Sequence, residues 1–237
     1  MMTDVADFKH PEFLVSVDWL LENLEDPNLR IYDCTAHLIP HPTETYTIGS
    51  GKGDYEKAHI PGADFLDLQQ ELSNNTSKLR FTFPSAEHFS KAIGAHGLSN
   101  DNQAILYSTT SPQWATRIWW MLRAFGFDNA KVLDGGLIRW VQKGYPTSTI
   151  PSTYPEQSFT AKPRPGLIIQ KSEVLEGIHE SNTCIINALS QEQHTGVGGR
   201  TYGRPGRIKD SENVPTTELI DPETNEFYPA AVIAERF

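Results

Sequence analysis

The chain has 237 residues, 38% hydrophobic and 21% charged, with 16 prolines and 17 glycines; it can bury a core and is longer than one ordinary domain of about 100 to 150 residues. Thirty acidic residues against twenty Lys and Arg give a net charge of −10, which repels phosphate backbones and anionic lipid, so neither nucleic acid nor membrane is an expected partner. No window approaches the roughly 20 apolar residues of a membrane span, and the start MMTDVADFKHPEF has acids where a signal peptide needs a basic end, so a cytoplasmic location is expected.

Val17 to Leu24 reads as a short amphipathic helix and Arg30 to Asp33 as a strand. After Cys34, the segment Thr35 to Pro42 reads as a loop. His37 and His41 have a helical metal-ligand spacing, but Pro40 and Pro42 forbid the helix, so no metal is expected. Gly49 to Gly53 has the glycines of a phosphate loop without its Gly-Lys-Ser/Thr ending, and reads as flexible. A strand follows at Ala63 to Leu68, then a helix capped by Ser85 that carries Phe89, Ala92 and Ile93 and stops near Gly94. Ala104 to Tyr107 and Ala130 to Leu133 read as strands. Between them Ser111-Pro112 opens a helix with Trp114, Ile118, Met121, Leu122 and Phe125 on one face and Gly126 as its stop. Strand, helix, strand implies parallel pairing with right-handed crossovers, so residues 12–146 form one α/β domain, with Trp19, Trp119 and Trp140 on buried faces.

Residues 147–165 hold four of the five prolines between Tyr145 and Pro165 and read as a stiff linker without packing, a first place for proteases to cut. Beyond it the opening of the chain repeats. Leu14-Val15 to Ile31-Tyr32-Asp33 realigns with Ile168-Ile169 to Ile185-Ile186-Asn187 at a constant offset of 154 residues, with Leu21 over Leu175 and Leu24 over Ile178. Further on, His59-Ile60 falls on Arg207-Ile208 and Phe83-Pro84 on Tyr228-Pro229 at slightly shorter offsets, and counted from there the counterpart of the loop after Tyr107 is expected beyond Phe237. Residues 166–237 are therefore expected to be a partial second copy, and its apolar groups to be incompletely covered.

Tyr55-Glu56-Lys57-Ala58-His59-Ile60-Pro61-Gly62-Ala63, the run Trp119 to Gly126, and Val132-Leu133-Asp134-Gly135-Gly136 followed by Trp140 and Gly144-Tyr145-Pro146 resemble the first domain of the tandem rhodanese family. Tyr202 to Ile208, Asn213-Val214-Pro215 and Leu219 to Pro222 are similar to the opening of the second. The resemblance implies a parallel sheet flanked by helices, duplicated, and a sulfurtransferase with no resident cofactor. Its partners would be a small anionic donor, thiosulfate or 3-mercaptopyruvate, and a cyanide or thiol acceptor, with a protein partner as a further option. Family chemistry runs through a cysteine persulfide held in a strand-to-helix loop of the second domain.

On that resemblance this chain carries no catalytic residue. The first-domain loop, Ser108 to Trp114, has no cysteine, as the family's silent loop implies, and the second-domain loop lies past Phe237. The family's substrate arginine is replaced by Gln193, and the His59 to Gly62 motif becomes Arg207-Ile208-Lys209-Asp210. Cys34 reads as a structural thiol and Cys184 as a core strand residue. Arg200, Arg204 and Arg207, among five glycines, are the candidates for meeting an anionic substrate or an acidic partner, with a solvated loop as the plainer reading.

Overall fold

A computed structural model describes residues 8–42, 46–201 and 203–237; Tyr202 and the acidic residues of the N-terminal seven lie outside them. In chain order the first half contains β1 (Leu14–Val15), α1 (Val17–Glu22), β2 (Leu29–Asp33), β3 (Ala36–Pro40), β4 (Tyr46–Ser50), α2 (Lys52–Tyr55), β5 (Asp64–Phe65), α3 (Ala86–Ala95), β6 (Gln103–Tyr107), α4 (Gln113–Ala124), β7 (Ala130–Leu133) and α5 (Gly136–Gln142). The second half contains α6 (Lys171–Gly177), β8 (Ile186–Asn187), α7 (Gln191–Thr195), β9 (Glu212–Asn213) and α8 (Ala230–Ala234).

Five parallel strands form the central sheet in the order β1-β7-β6-β2-β5. Because strand side chains alternate, Ala104 and Leu106 of β6 join one buried cluster while Ile105 and Tyr107 join the other. α3 and α4 cover the first face through Phe89, Ile93, Ile118 and Leu122. α1 and α5 cover the second through Val17, Leu20, Leu137 and Trp140. Ser16 and Ser85 cap α1 and α3, each hydroxyl accepting the amide three residues on at 3.1 Å. Trp140 is fully buried and its indole donates to Pro146 O at 2.7 Å, whereas Trp19 and Trp119 are only half-buried.

Several local expectations change. Thr35 to Pro42 contains a strand, because β3 pairs antiparallel with β4 and its prolines sit at the end of that two-stranded edge. The glycine segment 49–53 is accordingly split between β4 and α2. Only Asp64 and Phe65 of the 63–68 segment pair with β2.

The 147–165 segment has no regular structure after its bridge at Ser148, as its prolines dictate, but it is packed. Ser148 exchanges backbone hydrogen bonds with His59, and Tyr154 OH accepts from Ile31 N and donates to Gly62 O. Phe159 is buried against Phe89 and Phe127, and Arg164 clasps Asp128 through two 2.6 Å contacts. Gly94 owes its identity to this strap rather than to helix termination: it lies inside α3, and a Cβ there would meet the Gln157 carbonyl oxygen at 2.5 Å.

The second half is thinner. β8 pairs only with β9, so Ile186 is 46% exposed. Ile168 and Ile169, which the 154-residue offset sets over Leu14 and Val15, form no strand, whereas β1 is held by β7. Cys184, expected in a strand of the core, is exposed and lies before the two-residue β8.

Candidate functional site

Functional groups of a parallel α/β sheet gather beyond the carboxyl ends of its strands, where loops and helix N-termini converge. Here that edge carries Asp33 at the end of β2, Ser108 after β6 and Asp134 after β7. Asp33 is fully buried, and one carboxylate oxygen accepts from the Thr35 amide and hydroxyl. Thr35 Oγ1 in turn accepts the Thr109 amide at 2.8 Å and lies 2.9 Å from its hydroxyl. Burial pushes the Asp33 carboxyl up to about 6 and, likewise by burial, Asp134 up to about 7. Sequence reasoning missed both carboxylates, although their place at strand ends was the signal that could have found them.

The cysteine-free loop from Ser108 to Trp114 is closed. Ser108, 1% exposed, donates to the Ser111 carbonyl at 2.6 Å, and its own carbonyl accepts from Leu137 N. A turn at 220–228 covers the loop. It is tied off by the Ile220–Phe227 bridge, with Asn225 in the left-handed region at φ 61°. From it Asn225 Nδ2 donates to Thr110 O at 2.7 Å, Phe227 N donates to Asp134 at 2.8 Å, and Glu226 pairs with Arg139 at 3.1 Å.

Between the two halves runs a groove of about 620 Å³. Leu38, Tyr46 and Gln113 line it on one side, with Ile185 to Ser190, Gln193 and Thr216 on the other. The three candidate arginines are exposed and none is among the described residues lining it. Arg200 reaches the hairpin that walls the groove, donating to His41 O at 3.2 Å and lying over the Tyr46 ring. Gln193, at the position where the resemblance implies an arginine, donates to the Arg200 carbonyl at 2.6 Å. His37 faces Asp54 at 2.8 Å.

Neither thiol is both exposed and set before a helix N-terminus. Cys34 is fully buried, its amide donates to Tyr107 O, and burial pushes its pKa well up. Cys184 is exposed but lies on the amino side of β8, the end of a strand away from any following helix N-terminus.

Residues 16–143 match the family described as Rhodanese-like domain. The chain is 31% identical to thiosulfate/3-mercaptopyruvate sulfurtransferase 2 of Arabidopsis thaliana over 95% of this chain and 70% of that protein. It is 32% identical to 3-mercaptopyruvate sulfurtransferase of Escherichia coli K12 over 88% of this chain and 73% of that one. The crystal structure of the Escherichia coli 3-mercaptopyruvate sulfurtransferase SseA superposes with a TM-score of 0.80 at 31% identity, covering 95% of this chain and 82% of that structure. With its parallel sheet, its Asp134-Gly135-Gly136 turn and its cysteine-free loop at Ser108, this chain belongs to the rhodanese family of sulfurtransferases.

Proposed function

We propose that residues 12–146 form a non-catalytic rhodanese domain, that 166–237 correspond to the opening of a second, and that the 237-residue chain alone does not complete sulfane-sulfur transfer. The repeat at offset 154 supports the duplication. The observation carrying the functional reading is the setting of the two thiols. In the family reaction a thiolate breaks the donor's sulfur–sulfur or carbon–sulfur bond, keeps the sulfane sulfur as a persulfide, and yields it to cyanide or a thiol. That thiolate needs exposure and a helix N-terminus behind it; Cys34 lacks the first and Cys184 the second.

Donors in this reading are thiosulfate or 3-mercaptopyruvate, attracted by the exposed Arg200, Arg204 and Arg207 in an otherwise acidic chain. The reading includes a cytoplasmic location, supported by two unpaired cysteines. Assays of both donors with cyanide on the purified chain test it. Background rates with both donors are expected; turnover that disappears on Cys34→Ser or Cys184→Ser overturns it.

A second reading, a silent rhodanese module that binds a protein partner, is favoured by the exposed apolar side chains of the second half. Ile169, Leu175 and Val197 are each at least half exposed there. A stoichiometric co-purifying partner lost on Leu175→Glu supports that reading, and a partner-free monomer with an unchanged hydrodynamic radius argues against it.

A further inference from the structure

A cavity of about 870 Å³ lies in the first half beside the N-terminal end of α4. Its walls are apolar: Leu38, Leu68, Phe81 and Trp114. Its polar lining is Lys78, Arg80, Gln113 and Arg117, with no carboxylate among the described lining residues, although the chain as a whole carries −10. The volume suits a ligand of drug-like size.

Arg117 is the unusual group. It projects from α4, one terminal nitrogen donates to Phe81 O at 2.9 Å, and the guanidinium lies 5.8 Å from the Phe83 ring centre. Its Nε is buried with no hydrogen-bond partner, and no carboxylate among the described residues pairs with it. Burial pushes its pKa down, the signature of a cation short of compensation. A half-buried guanidinium is normally matched by an anion, in the protein or bound to it.

Phe81 is built around the same place. It adopts φ 54°, a region that side-chain-bearing residues seldom occupy. Gln69 Oε1 accepting its amide at 3.0 Å and Arg117 donating to its carbonyl hold it there, while its ring packs against Trp114 at 5.4 Å. Strain of this kind, pinned from two sides, concentrates where a wall must be shaped.

We propose that this cavity binds a small organic monoanion with an aromatic or branched apolar body, its charge on Arg117 and its body between Phe81, Trp114 and Leu68. The site is distinct from the proposed sulfur chemistry and does not depend on it, although the cavity meets the groove between the halves at Leu38, Tyr46 and Gln113.

Isothermal titration of the full chain with 2-naphthoate and with its neutral amide tests the proposal. The carboxylate is expected to bind at one per chain, at least tenfold tighter than the amide. Arg117→Gln should weaken the carboxylate at least tenfold and leave the amide within twofold, while Arg117→Lys recovers part of the loss. Equal affinities for acid and amide overturn the proposal, and this comparison needs no variant. So does an undiminished carboxylate affinity in a cooperatively folded Arg117→Gln chain, or no binding of 2-naphthoate at all.

Discussion

Asp134, at the end of β7, accepts a hydrogen bond from the backbone amide of Phe227 at 2.8 Å, so the first half of the chain holds the turn at 220–228 by a buried carboxyl. Removing that acceptor should loosen the turn more than the sheet. Asp134→Ala is expected to raise amide exchange at Phe227 and Asn225 and to lower stability by about 1 kcal/mol, the net worth of one hydrogen bond. Asp134→Asn keeps an acceptor oxygen and should leave exchange near that of the parent. Equal protection in the alanine variant would show that the contact holds nothing.

His96, after α3, stands between two carboxylates, 2.7 Å from Asp64 and 3.2 Å from Glu71. Burial works against its charge, but the hydrogen bonds to Asp64 and Glu71 outweigh it and raise its pKa to about 9 from an ordinary 6.5. A base raised in the folded state contributes stability that is full below the unfolded value and is lost as pH rises through the folded one. Burial of Asp33 and Asp134, raised to about 6 and about 7, adds a decline in the same direction between pH 4 and 7. The melting temperature should therefore fall by several degrees between pH 6.5 and 9.5, and His96→Gln should flatten that part of the profile. A profile unchanged by the substitution would remove His96 as its cause.

The strap over the first half makes a different forecast for proteolysis than its prolines do. Residues 148–164 bury Phe159, engage Tyr154 in two hydrogen bonds and end on the Arg164–Asp128 pair. Limited proteolysis should cut first in the exposed stretches 197–200 or 203–207 and leave a fragment that retains the strap to about residue 165. Phe159→Ala should destabilise that fragment by about 3 kcal/mol, in line with losing a buried aromatic ring. Early cleavage between 148 and 164 would contradict the packing.

How far the sequence disclosed this arrangement follows from which forces act locally. Ser85 and the apolar spacing of α4 are local signals, and these two helices stand where they put them, although α4 starts one residue later than Ser111-Pro112 implies, at Gln113 with Pro112 in the cap position. The strap is a tertiary effect: Phe159 and Tyr154 have no periodic neighbours, and only the surfaces of β2, α3 and Phe127 reveal what they cover. β3 was hidden because its pairing is confined to β4 and Pro40 falls at the end of that two-stranded edge. At the candidate site the absence of cysteine between Ser108 and Trp114 was legible by inspection. The raised carboxyls of Asp33 and Asp134 and the unmatched Arg117 were not, since they depend on burial by distant segments.

Alkylation should separate the two thiols. Cys184 is exposed and is expected to react with iodoacetamide in the native chain, whereas Cys34 reacts only on unfolding, because it is fully buried and burial pushes its pKa well up. Mass spectrometry of the native and denatured chain reads one label and then two. Rapid labelling of Cys34 under native conditions would reopen it as a sulfur carrier.

The loop at Ser108 offers the sharpest test of whether family position alone confers activity. Ser108→Cys places a thiol at the end of β6, directly before α4, where the resemblance would look for one. The surroundings argue against a thiolate. The serine hydroxyl is sealed onto the Ser111 carbonyl, Asn225 caps the neighbouring Thr110, and the two flanking strands end in the buried carboxyls of Asp33 and Asp134. Above about pH 7 both carboxyls are charged, and like charge together with burial raises a thiol pKa rather than lowering it. The variant is therefore expected to fold, to resist alkylation at position 108, and to transfer no sulfur from thiosulfate to cyanide. Adding Asp134→Asn together with Asn225→Ala should increase labelling at 108 by removing one charge and the cap. Turnover in the single variant would show that the loop supports persulfide chemistry, and that only its side chain keeps it silent.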